Sequence, residues 1–161
     1  MSDKQPPSSK ARKQSSLLEI GWREMVSLPD LSDEPIRVKV DTGAATSALH
    51  AFKIKEFAGD DGQDWIRFLI HPRHKAKRPE CECVAPIKTR RRIRSSNGQV
   101  QERVIIRTRL KLGGRSWPID LSLTNRDEMG FRMLLGREAL KPKIVIHPSK
   151  SYLQGSPRGK D

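Results

Sequence analysis

Three stretches of this chain repeat with a period of two, and that period limits what it can fold into. Val104, Ile106, Thr108, Leu110 and Leu112 alternate with Arg103, Arg107, Arg109 and Lys111. Trp117, Ile119, Leu121 and Leu123 alternate with Pro118, Asp120 and Ser122; Ile36, Val38 and Val40 alternate with Arg37 and Lys39. Successive side chains of an extended strand point to opposite faces, so the pattern describes strands with one face buried and one wet. The apolar runs Trp65 to Ile70 and Lys143 to His147 are two shorter strand candidates. Helical periodicity is scarce, and only GREAL, starting at Gly136, has room for one or two turns. The chain therefore reads as mainly β, a compact barrel or sandwich with one short helix.

At 161 residues the chain suits one domain with a real core. Residues 1–16 are Pro, Ser, Lys and Arg with little to bury and read as a disordered basic arm. Residues 17–155 form the domain, and 156–161 read as a loose tail. The N-terminal stretch lacks the apolar centre of a secretory leader. No run of 18 apolar residues is present, so no membrane-spanning helix is expected. Cys81 and Cys83 are the two cysteines, too close together for an easy bridge, which suggests a reducing, cytoplasmic setting. Lys and Arg number 32 against 19 acids, a net charge of +13, which favours acidic partners or is simply a solvated basic surface.

The stretch TRRRIRSSNGQVQERVII, from Thr89, has Asn97-Gly98 between two strand-like runs. Asn-Gly suits the positive φ angles of a two-residue type I′ turn, so a long basic hairpin is expected. Such a hairpin is either a lid over a groove or a surface ribbon.

A strand ending in Asp41-Thr42-Gly43 presents a carboxylate on a sharp turn. Gly43 allows backbone shapes barred to other residues, and Thr42 has a hydroxyl suited to local hydrogen bonds. An ordinary strand-end turn uses the same residues. Further on, Phe131, Met133 and Leu135 alternate and run into Gly136 and Arg137. An apolar strand ending in Gly suits tight packing beneath the loop of another strand.

This order resembles the retropepsin-like aspartic proteases. GWREMVSLP, KVDTGAATSALHA, WPIDLSLTNRDEMGFRMLLGREAL and SYLQG look like one bacterial family, a retropepsin-like aspartic endopeptidase also labelled an ATP-dependent zinc protease. The similarity runs over roughly residues 18–155. It implies an acid-protease barrel with Asp41 catalytic and Thr42, Gly43 and Ala44 shaping the loop. Leu135, Gly136 and Arg137 would support that loop, and Ser95, Ser96, Asn97 and Gly98 would form the flap. At position 45 the resemblance implies a basic residue, and this chain has Ala45. Family members are associated with ligases that add glutamates to protein tails, which implies an acidic or glutamylated protein substrate.

Aspartic proteolysis needs two carboxylates that share a proton, one acting as base and one as acid. The chain has no second Asp-Thr-Gly or Asp-Ser-Gly, so a homodimer would have to supply the partner Asp41. Asp120 and Asp127 have no comparable setting and read as surface charges.

The zinc and ATP of the older label find little support in the residues. His-Glu-x-x-His is absent. His71, His74, Cys81 and Cys83 are metal-ligand types, but their spacing is unusual and basic residues crowd them. GSPRGKD, from Gly155, is one residue short of a P-loop and lacks its hydroxyl. No cofactor is expected. Between His71 and Arg94 nine basic residues face two acids. That charge would attract an acidic substrate, or contact RNA or the ribosome through phosphates. Few aromatics are available to stack on bases. The remaining alternative is a retropepsin-like interaction domain without activity.

Overall fold

The structure is a computed structural model and describes residues 17–94, 97–125, 130–140 and 143–157. The basic arm at 1–16, flap residues Ser95 and Ser96, and Asp127 lie outside the described residues.

Eleven strands are described: β1 (Leu18–Val26), β2 (Ile36–Asp41), β3 (Ser47–His50), β4 (Phe52–Ala58), β5 (Asp64–Ile70), β6 (Cys81–Pro86), β7 (Thr89–Arg94), β8 (Val100–Leu112), β9 (Arg115–Thr124), β10 (Met133–Gly136) and β11 (Ile144–Ser151). The short helix expected at GREAL is a single 3₁₀ turn, Arg137–Ala139. Eight strands form one sheet in the order β11-β1-β2-β10-β3-β9-β8-β7, and β4-β5-β6 form a second. The large sheet curls back on itself. Ser27, just past β1, and Lys111 in β8 exchange both backbone hydrogen bonds, at 3.0 and 2.9 Å. Six strands, β1 to β8 in sheet order, are thereby drawn round a shared interior.

The period-two residues point into that interior. Ile36 and Val38 of β2, Ile106, Leu110 and Leu112 of β8, and Ile119 and Leu121 of β9 are buried together with Met133 and Leu135 of β10. The small sheet adds Ile66, Phe68 and Ile70 to the same core. Burying aliphatic side chains on this scale is the main force holding such a barrel closed. In β8 the alternation breaks where both faces are covered: Ile105 is fully buried and Arg103 is also buried, its Nε donating to Gln101 Oε1. No helix of the described residues is long and apolar enough to cross a membrane.

The basic hairpin is present, but its turn is not the two-residue type. A two-residue Asn97-Gly98 turn would set Arg94 opposite Gln101. The observed register sets Arg94 opposite Val100, so an odd number of residues makes the connection. Gly98 has φ 88°, in the left-handed region that favours glycine. Asn97 Oδ1 accepts a hydrogen bond from the Gln99 N–H at 3.1 Å.

Candidate active site

Three strands build the site. β10 pairs parallel with β2 and antiparallel with β3, so it threads between two strands that follow each other in the chain. The β2–β3 connection, residues 42–46, must therefore cross over the end of β10. The register brings Gly136 directly beside Asp41.

The crossing is tight. A Cβ on Gly136 would sit 2.8 Å from the Thr46 carbonyl carbon and 2.9 Å from the Ala44 oxygen. Its N–H donates to the buried Ser47 Oγ at 3.0 Å. The next two N–H groups, of Arg137 and Glu138, donate to the Ala44 and Ala45 carbonyls at 2.8 and 3.0 Å. The Arg137 guanidinium reaches back over the loop, Nη1 donating to the Thr42 and Gly43 carbonyls, both at 3.3 Å. Of the residues expected to support the loop, Gly136 and Arg137 touch it, and Leu135 is buried in the core beside Val40.

Within the loop, the Gly43 N–H donates to Asp41 Oδ1 at 3.1 Å, and the Ala44 N–H to the Asp41 carbonyl at 3.1 Å. This local turn fixes the carboxylate's orientation. Asp41 is half-buried, and Thr42 and Gly43 are exposed beside it. A fixed carboxylate open to water can act as a base, but one carboxylate cannot at the same moment protonate a leaving amine.

The basic hairpin is tied to this loop. Arg91 of β7 donates through Nη1 to Thr46 Oγ1 at 3.3 Å, and lies 3.8 Å from Glu138. Its Nη2 donates to Asp120 Oδ2 at 3.2 Å. Lys88 and Arg107 converge on the same carboxylate, at 2.9 and 2.8 Å. Asp120 was expected to be a surface charge; its side chain is only 14% exposed and accepts from three cations. Burial pushes its pKa up, but hydrogen bonds from Lys88 and Arg107 outweigh this and leave it below the usual carboxylate value. Ser47, Arg91 and Asp120 were not singled out as site residues. The one available signal was that Asp120 is the only acid in an alternating strand whose neighbour is rich in Arg.

The four metal-ligand types do not come together. No group of three or more His, Cys, Asp or Glu side chains able to hold a metal is found among the described residues. His71 packs on Phe52, with ring centroids 4.5 Å apart, and lies 3.5 Å from Glu80. His74 packs on Phe131. Cys81 opens β6, and Cys83 is buried in the core with Sγ toward the Leu31 carbonyl. Burial pushes the Cys83 thiol up to about 12, which opposes the thiolate that a metal requires.

Proteins named "Probable alpha-L-glutamate ligase" from Shewanella halifaxensis and Parasynechococcus marenigrum are 41% and 43% identical to this chain over 136 and 139 residues. These matches cover 84% and 86% of this chain but 30% of each relative. Among solved structures, protein Lpg0085 of unknown function (DUF785) from Legionella pneumophila aligns with TM-score 0.72 at 25% identity, covering 85% of this chain and 98% of its own. The family model described as RimB-like, "Retropepsin-like aspartic endopeptidase RimB", matches residues 19–157. The chain belongs to that family, and the Asp41 loop clasped over Gly136 lies within the matched span.

Proposed function

We propose that this chain is half of an aspartic-type endopeptidase, completed when two copies bring their Asp41 carboxylates together. The observation that carries the reading is the Asp41 loop. Its carboxylate is oriented by the Gly43 N–H, its backbone is clamped by Arg137, and Gly136 lies beneath it with no room for a side chain. In the dimer one carboxyl holds the shared proton while the other draws a proton from water. That water attacks the scissile carbonyl, and the protonated carboxyl polarises the carbonyl and then protonates the amine. The β7–β8 hairpin closes over the substrate, its movement coupled to the loop through Arg91 and Thr46.

The substrate we infer is an acidic or glutamylated protein segment. Arg91, which touches the loop, and its neighbours Lys88 and Arg107 carry three positive charges against two carboxylates, Asp120 and Glu138. The relatives named as glutamate ligases contain this chain's likeness in about 30% of their length, so we assign ligation to the remainder of those proteins and hydrolysis to this part. Contact with RNA or the ribosome is the weaker reading, because aromatic side chains able to stack on bases make up only 5% of the chain.

The test is Asp41→Asn in the full chain. Cleavage of a glutamate-rich peptide should fall by about 10³-fold or more, with the fold and self-association retained. Cleavage by the Asn variant at the parent rate ends the catalytic assignment. Salt-sensitive RNA affinity without proteolysis in either protein would favour the binding-module alternative.

A further inference from the structure

A cleft among the described residues lies away from Asp41. It has a volume of about 320 Å³, and four separate segments build its walls. Met25 is the penultimate residue of β1, Pro35 and Arg37 flank the first residue of β2, Pro72, Arg73 and His74 follow β5, and Pro157 follows β11. Arg37 precedes Asp41 by four residues on the same strand, roughly 13 Å at the usual strand rise.

The lining combines two chemistries. Met25 and three prolines give stiff apolar walls, whose shape costs little to hold. Arg37, Arg73 and His74 give the polar side, and Glu34 is the one acid lining it, taken by Arg73 at 3.2 Å. More positive charge stands behind. Arg23 and Arg37 lie over the Tyr152 ring, 5.0 and 5.7 Å from its centroid, and Arg132 donates to the Ala76 carbonyl in the loop that carries His74. Burial holds His74 below its ordinary pKa, helped by the charges of Arg37, Lys75, Arg132 and Arg23. Two nitrogens of the wall, Arg37 Nε and His74 Nδ1, are shut off from solvent and meet no hydrogen-bond partner among the described residues. Buried polar atoms are rarely left so without a reason, and a small rotation toward the cleft would offer either to a ligand oxygen.

We propose that this cleft binds a small organic anion, a doubly charged oxyanion head on a short apolar body. The oxyanion meets Arg37, Arg73 and His74, with the fork of an arginine suited to two of its oxygens. The apolar body lies against Met25 and the prolines. The volume is at the lower end of small-molecule sites, about 300 Å³ and upward, which limits the ligand to one ring or a short chain. The head is a phosphate monoester or a dicarboxylate, which share this recognition chemistry. The site is separate from the proposed proteolytic centre and does not depend on that reading.

Calorimetric titration of the full chain tests it, with phenyl phosphate, benzylsuccinate and inorganic phosphate as probes. One of the two organic dianions should bind one per chain, at least tenfold more tightly than inorganic phosphate, and the tighter one identifies the head group. Arg37→Met should weaken that binding by at least tenfold, and Asp41→Asn should leave it unchanged. Should Arg37→Met fail to fold, the exposed Arg73→Ala carries the test with at least a fivefold loss expected. Neither dianion binding more tightly than inorganic phosphate, or full affinity in the Arg variant tested, overturns the proposal.

Discussion

Gly136 shows how one missing side chain sets the position of a carboxylate. Its backbone angles, φ −84° and ψ 169°, are open to any residue, so conformational freedom is not what the position demands. The demand is space, because a Cβ would press into the backbone of Ala44 and Thr46. Gly136→Ala should therefore destabilise the fold by about 1–3 kcal/mol, read as a lower urea midpoint at unchanged slope. It should also cut the proposed peptidase activity, since the loop can relieve the clash only by moving. Asp120 offers a second test. With its folded pKa lowered, its stabilising contribution is complete above the unfolded value near 3.9 and is lost as pH falls through the folded value. Asp120→Asn should accordingly flatten the fall in melting temperature below about pH 4. Asp41 and Gly136 stand out because a strand ending in Asp-Thr-Gly and an apolar run ending in Gly are both local patterns. Ser47, Arg91 and Asp120 were harder to read, because their partners lie 13 to 89 residues away.

The strands divide along the same line. β2, β8 and β9 were readable because one of their faces meets water for much of their length and the side chains record it. β3 is buried on both faces between β10 and β9, so SALH carries no alternation at all. β1 hides its period behind Glu24, a fully buried acid in the middle of a strand. That side chain accepts from the N–H groups of Gly21, Leu153 and Gln154 at 2.7, 2.8 and 3.1 Å, and so pins the end of β11 and its following turn to β1. Glu24→Ala would strand three backbone donors. A loss of about 3–5 kcal/mol is expected by urea unfolding, with hydrogen exchange accelerated first along β11. β11 already approaches β1 so closely that a Cβ at Gly21 would lie 2.1 Å from the Lys150 oxygen.

Across the molecule as a whole, stability should depend on pH through His74. Its folded pKa is lowered, so between that value and the ordinary 6.5 the unfolded chain binds the proton more readily. Stability should rise with pH across this window, and His74→Gln should reduce the slope of melting temperature against pH. The threading of β10 between β2 and β3 has a consequence of another kind. Asp41 is made before the strand that seats it, which is not added until Met133 to Gly136. Long-range pairings of this sort close late and slowly, because a large loop must be ordered before any contact rewards it. A growing polypeptide therefore carries Asp41 without its seat until β10 has emerged and paired, and the peptidase activity proposed above would stay silent until then.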